Sequence, residues 1–365
     1  MPISKRGLAL GFVGFIGILL ETSCEQPNKF KPPLILPQIS NTSLPERLHG
    51  FVFSPQDGLL HGWSSKGIRI LDVKGNIHWS YSEWVDGIAY STDGKTEAIF
   101  LRDKILINNK AMAIRGVYRW PVLLSPDGKS IFYGESEKVY IQSLTGNSEP
   151  FRFYQEGGRI TAASYSPDGK AIAFGFASQS NGMPPGFGTL KVFDADPFRF
   201  RCQLYGSSPT VTMLAYTPDG KYIATAGKEN EIYLWDAQTL QPIRIFSGFR
   251  EAVRCFNFSP RGSLLAAGSD EKTIRIWNYT DGRLLHEIFP LNPKRVITTM
   301  TRQLEKELEK DPDLLWIQDG VQDISFSLNG DQLAAAYGDN TVRVWDARRL
   351  YSEVGVLAGS SSSPE

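Results

Sequence analysis

One type of chain reversal recurs at seven places: Ser54-Pro55-Gln56-Asp57-Gly58, Ser91-Thr92-Asp93-Gly94, Ser125-Pro126-Asp127-Gly128, Ser166-Pro167-Asp168-Gly169, Thr217-Pro218-Asp219-Gly220, Ser259-Pro260-Arg261-Gly262 and Ser327-Leu328-Asn329-Gly330. Pro presets φ near −65° at a turn position, and Asp or Asn followed by Gly tolerates the left-handed region, so each copy folds the chain into a tight hairpin. Apolar residues precede the turns at one spacing, as in Leu48/Phe51/Phe53, Val85/Ile88/Tyr90, Val211/Leu214/Tyr216, Val253/Phe256/Phe258 and Val321/Ile324/Phe326. The third copy departs, with Arg119 where an apolar residue is expected before Val122 and Leu124. Short alternating runs punctuated in this way predict strands. One such sheet has too small a buried face to stand alone, so the copies must stack on one another.

A second element repeats downstream of each turn: Ile68-Arg69-Ile70-Leu71-Asp72, Val139-Tyr140-Ile141, Leu190-Lys191-Val192-Phe193-Asp194, Ile232-Tyr233-Leu234-Trp235-Asp236, Ile274-Arg275-Ile276-Trp277-Asn278 and Val342-Arg343-Val344-Trp345-Asp346. On these residues the chain resembles the WD-repeat β-propeller family, whose mark is a repeat of roughly 40 residues ending in Trp-Asp. The resemblance spans Arg47 to Gly359 and is strongest over Thr210–Asn278 and Val321–Asp346. It implies an all-β fold: a seven-bladed propeller of four-stranded antiparallel blades. Trp235, Trp277 and Trp345 are then core residues. The Gly-His pair common in the family is missing; Gly248-Phe249 stands there once and Gly206-Ser207 once. The buried His–Asp–Ser–Trp network of better-matching relatives is therefore expected to be replaced by apolar packing.

Residues 1–24 read as a targeting leader. Lys5-Arg6 form a positive start, and Gly7–Leu20 is an apolar run shorter than the roughly 20 residues that span a bilayer. Leu20-Glu21-Thr22-Ser23-Cys24 resembles a bacterial lipoprotein signal, which implies a lipid on Cys24; an ordinary secretory signal or short anchor is the alternative. Export to the periplasm or cell surface with membrane anchoring is the expected location. Residues 25–46, rich in Pro, Asn and Ser, read as a tether, 47–359 as the propeller and 360–365 as a disordered tail. Ring closure is open between an N-terminal strand at 34–39 and a C-terminal strand at 353–359; the likeness of 353–359 to the fourth strand Pro242–Gly248 favours the second.

Two insertions interrupt the repeats: 178–188, and 291–319 between the sixth and seventh copies. Within the latter, 294–311 is expected to be helical, since Ile297, Met300, Leu304 and Leu308 fall three or four apart. Strand direction alternates within a blade, so the connections between second and third strands and those between blades leave on one rim. Both insertions would decorate that rim. Trp84, Arg119, Trp120, Phe187, Phe249, Arg250 and Trp316 lie in or beside its connections, and Trp and Arg are the side chains most enriched where proteins bind each other.

Chemistry is sparse. There is no nucleophile elbow, zinc-binding His-Glu-x-x-His helix or phosphate-binding Gly-rich loop, and the four His show no spacing that suggests shared ligation. No cofactor or metal is expected. Formal net charge is zero, which gives nucleic acid or an anionic membrane no bulk attraction. Cys202 and Cys255 fall on an outermost and an innermost strand, too far apart for a disulfide. The expected function is a non-catalytic scaffold that binds protein partners, with the chain itself monomeric. The alternative is a lactonase- or glycosidase-like hydrolase using Asp86, Asp323 and Arg254 at the central channel.

Overall fold

The computed structural model describes residues 38–354 except 73, 103, 114–121, 136–137, 146–150, 155–159, 177–188, 206–210, 228–229 and 290–319. The leading unit Met1–Leu34 lies outside these; the second unit, Ile35–Glu365, holds them all. Its first strand, β1 (Gln38–Ser43), leads into blade 1, made of β2 (Gly50–Phe53), β3 (Leu60–Ser64), β4 (Gly67–Leu71) and β5 (Ile77–Tyr81). Blade 2 follows as β6 (Val85–Tyr90), β7 (Glu97–Leu101), β8 (Lys104–Ile107) and β9 (Lys110–Ala113). Blade 3 comprises β10 (Leu123–Leu124), β11 (Ser130–Glu135), β12 (Lys138–Ser143) and β13 (Phe151–Tyr154). Blade 4 comprises β14 (Ile160–Tyr165), β15 (Ala171–Phe176), β16 (Thr189–Ala195) and β17 (Phe198–Tyr205). Blade 5 is built from β18 (Met213–Tyr216), β19 (Tyr222–Ala226), β20 (Ile232–Asp236) and β21 (Pro242–Phe246). Blade 6 takes β22 (Val253–Phe258), β23 (Leu264–Ser269), β24 (Ile274–Asn278) and β25 (Leu284–Ile288). Blade 7 takes β26 (Val321–Phe326), β27 (Gln332–Tyr337) and β28 (Thr341–Asp346).

Every described strand pair is antiparallel, and the first strand of each blade packs against the first strands of both neighbours, β26 against β2 included. The sheets therefore close into a ring of seven. Apolar clusters fill the junctions between blades rather than the blades themselves. Phe51, Phe53 and Leu60 of blade 1 meet Ala334, Ala336 and Val344 of blade 7, and Leu234 and Phe246 of blade 5 meet Phe258 and Trp277 of blade 6. Small residues such as Ala266 and Ala267 let the buried second strands approach on both faces. Each fully buried large apolar side chain contributes about 2 kcal/mol to this packing. Trp235, Trp277 and Trp345 are all buried, as their repeat position implies.

The seven turns share one Gly conformation. The Gly of each has φ between +68° and +75°, where a side chain would strain the backbone. In blades 2 to 4 the Ser hydroxyl donates to the Asp two residues on (Ser91–Asp93 2.7 Å, Ser125–Asp127 2.6 Å, Ser166–Asp168 2.6 Å). That hydroxyl bond holds the three carboxyls below the usual range. Blade 6 has Arg261 in place of Asp. There the Ser259 hydroxyl bonds Tyr351, which also donates to the Gly330 carbonyl at 2.7 Å and lies under the Arg261 guanidinium, 4.4 Å away.

Tyr351 belongs to helix α1 (Arg348–Glu353), and here two expectations are corrected. Residues 353–359 do not supply the seventh blade's fourth strand over their described part. The chain turns helical after Asp346, which accepts the Arg348 N–H at 3.0 Å, and buries Leu350 and Tyr351. The fourth strand is β1: Ser40, Asn41, Thr42 and Ser43 pair with Val344, Arg343, Val342 and Thr341. Residues 38–43 thus belong to the propeller, not to a tether running to residue 46. Leu44, Glu46 and Leu48 beyond it are buried as well, and Arg69 pairs with Glu46. The insertions at 178–188 and 294–311 lie outside the described residues.

Candidate functional site

Three connections bring an aromatic and a cationic side chain together on the rim of blades 1 and 2. Trp84, between β5 and β6, is 38% exposed. Its indole N–H donates to Asp86 at 2.7 Å, which fixes the ring at the start of the innermost strand. The guanidinium of Arg102, from the hairpin between β7 and β8, lies 4.6 Å from the ring centroid. His49, entering blade 1, sits 5.5 Å away at 48°. Glu83 and Lys104 pair at 3.3 Å beside it. Arg102 and His49 are exposed. A stacked Arg–Trp pair is worth about 0.5–1 kcal/mol at an exposed position and restrains both groups.

The remaining sequence candidates separate. Arg250 is exposed at the junction of blades 5 and 6, its backbone N–H donating to Glu271 at 3.1 Å. Phe249 is 2% exposed, so the chain buries it where a rim contact was expected. Its ring meets Trp277 edge-on at 5.8 Å and lies under Arg275 at 4.6 Å. Cys24, Arg119, Trp120, Phe187 and Trp316 lie outside the described residues. The sequence alone does not mark Arg102 and His49, because only tertiary stacking joins them to Trp84.

The three channel residues are each occupied. Asp86 holds the Trp84 indole, and Arg254 makes a two-pronged contact with Asp270 at 2.7 Å. Asp323 is half-buried as a residue, yet its carboxylate is enclosed between blades 7 and 1. It accepts the N–H groups of Phe51 and Ile324, both at 2.8 Å. Gly50 permits this approach, since a Cβ there would lie 2.4 Å from the Trp63 ring and 3.1 Å from Asp323 Oδ2. Burial pushes the Asp323 carboxyl up to about 7, against the pull of those two N–H bonds. Among the described residues no three His, Cys, Asp or Glu are placed to hold a metal ion.

A pH dependence follows from Asp323. In the unfolded chain the carboxyl titrates near 3.8, and in the fold near 7, so the native state binds the extra proton between those values. Stability from this group is complete below pH 4 and is lost as pH rises to 7, at about 1.4 kcal/mol per pH unit. Urea unfolding at pH 5, 6 and 7 is expected to show that slope shrink in Asp323→Asn; an unchanged slope would refute the assignment.

Residues 198–236, 240–278 and 317–346 match the family described as "WD domain, G-beta repeat". With seven four-stranded sheets in a closed ring, that match decides the assignment. The chain is a seven-bladed β-propeller that carries WD repeats. It is 32% identical over 170 residues to the periodic tryptophan protein 2 homolog of Dictyostelium discoideum, covering 46% of this chain and 18% of that protein. Rat apoptotic protease-activating factor 1 is 24% identical over 259 residues, 70% of this chain and 17% of the relative. Transcription initiation factor TFIID subunit 5 of Caenorhabditis elegans is 21% identical over 193 residues, 53% and 28%. The chain thus spans less than a third of the length of each of these relatives.

As a WD-repeat propeller it departs from the family pattern in an instructive way. Trp235 donates its indole N–H to Thr225 at 2.9 Å, one link of the family network. Ala267 and Ala335 stand at the matching register in the next two blades. In blade 6 the packing is apolar, as expected: Phe249, beside Gly248 where the Gly-His pair is missing, meets Trp277 edge-on at 5.8 Å, and arginines cover the neighbouring rings. Arg275 of this propeller spans Phe249, Glu271 and Glu287, and Arg343 lies 4.2 Å over Tyr337 while pairing with Asp339 at 3.3 Å.

Proposed function

We propose that this propeller is a non-catalytic docking scaffold, held at the cell envelope by a lipid on Cys24, that takes a protein partner on the rim built by Trp84, Arg102 and His49. The observation that carries the reading is Trp84: a large aromatic ring, 38% exposed, braced on one side by Asp86 and topped by a guanidinium. Ordering those side chains is already done before binding, so less of the association free energy is lost to it. The name of the TFIID subunit 5 relative, a subunit of a larger factor, agrees with a scaffold role. The envelope location is supported by the Lys5-Arg6 start, the apolar run and the small residues before Cys24.

The test is comparative purification from detergent-solubilised membranes. A partner recovered with the full chain is expected to fall at least tenfold with Trp84→Ala/Arg102→Ala, at unchanged melting temperature. Equal recovery with the double variant would remove the rim from the account, and absence from membranes after Cys24→Ser would be the expected sign of anchoring.

A further inference from the structure

Across the junction of blades 1 and 2, four side chains stand in one hydrogen-bonded relay. Asp57 Oδ2, from the turn after β2, lies 3.0 Å from Nε2 of His61 on β3. The other ring nitrogen, Nδ1, lies 2.8 Å from the hydroxyl of Tyr90, which ends β6 in the next blade. That hydroxyl meets Oε1 of Glu97, at the start of β7, at 2.8 Å. His61 is 7% exposed, so a bond it loses is not readily replaced by water. The neighbouring strands add no charge: Val52 and Ile70 face His61 from β2 and β4, and Ser54 brings only a neutral hydroxyl near Asp57 and Tyr90.

The contacts outnumber the hydrogens. An ionised carboxylate only accepts, a phenol brings one hydrogen, and a neutral imidazole brings one. Against its burial, the Leu59 N–H and the His61 ring hold the Asp57 carboxyl below the usual range, so it accepts. Burial, with Glu97 alongside, pushes the Tyr90 phenol up, so it keeps its hydrogen. With Glu97 ionised and His61 neutral, the phenol hydrogen and one ring N–H must serve three contacts. One contact then sets two acceptors face to face. If Tyr90 donates to Glu97 and the ring to Asp57, the bond between the blades fails. If Tyr90 turns to the ring, Glu97 is left without a hydrogen. One added proton fills all three contacts, with both ring nitrogens donating.

We infer that this junction is a proton-dependent latch, in which one proton shared among Asp57, His61, Tyr90 and Glu97 completes the bonding between blades 1 and 2 and its loss breaks one bond. A proton held by the fold and not by the unfolded chain stabilises at low pH, and that stability is lost as the pH rises past its release. The latch is separate from Asp323, which lies between blades 7 and 1, and it does not depend on what docks at the rim.

Urea unfolding of the full chain at pH 6.5 and pH 8.5 tests it, with Glu97→Gln as the deciding variant. The Gln amide donates to the Tyr90 hydroxyl, which frees the phenol hydrogen for Nδ1, so a neutral His61 then satisfies every contact. Between those pH values the folded-to-unfolded ratio of the wild type is expected to fall about fivefold more than that of Glu97→Gln. Tyr90→Phe, which removes the link, should show the same flattened profile and serves if Glu97→Gln does not fold. Titration of groups elsewhere is common to all three proteins and cancels in the comparison. Equal pH dependence in the wild type and Glu97→Gln, as expected of a histidine held by Asp57 alone, would overturn the inference, and so would a profile in Tyr90→Phe as steep as the wild type's.

Discussion

A chain lacking residues 1–43 is expected to lose its cooperative unfolding transition or to melt more than 10 °C lower, and to associate. β1 closes the seventh blade through ladder pairs to β28. At about 1 kcal/mol for each of its backbone hydrogen bonds, the strand contributes on the order of 5 kcal/mol, comparable to the whole stability of a marginal domain. Its removal also bares the outer edge of β28, and an unpaired edge invites another chain. Circular dichroism melts and light scattering would read both effects. A peptide of residues 36–47 added in trans is expected to restore part of the transition, because the edge it fills is otherwise intact. A truncated chain that melts like the full one and stays monomeric would show that β1 does not hold the ring.

Phe174→Ala is expected to lower unfolding free energy by about 4 kcal/mol. Phe174 is fully buried on β15, with Phe132 of blade 3 at 4.9 Å and Phe193 of its own blade at 5.6 Å. Truncation empties space at a blade junction whose lining comes from two sheets that cannot collapse without breaking their ladders. Phe174→Leu, which refills part of that space, should cost roughly half as much. Chemical denaturation of the three proteins checks the order; a loss under about 1 kcal/mol for Phe174→Ala would mean that the junction is not packed as described.

Most of the architecture was legible because its signals are local. The seven turns carry their φ requirement in their own residues, and the third strands carry their alternation. Closure was not legible, because Gln38–Ser43 is a polar segment whose partner lies some 300 residues away in sequence, and only pairing with β28 makes it a strand. The segment after Asp346 misleads in the other direction. A strand was expected at 353–359, but up to Glu353 the Asp346 carboxylate and the burial of Tyr351 against Ser259 and Gly330 select a helix, Arg348–Glu353. At the rim, Trp84 could be found as a large aromatic in a connection. Phe249 satisfied the same rule and is core, because Trp277 and Arg275 cover it. Position in a connection does not tell which ring is covered; the neighbouring blade decides that.

Closure by the first strand underlies the ring and the rim alike. Ser43 and Thr341 face each other in the β1–β28 register, at a separation that antiparallel pairing keeps within disulfide reach. In a chain with Cys24, Cys202 and Cys255 replaced, Ser43→Cys/Thr341→Cys should form an intramolecular disulfide under mild oxidation, seen as a faster-running, reductant-sensitive monomer band with a raised melting temperature. Two free thiols, or dimers as the main oxidised product, would contradict the closed ring.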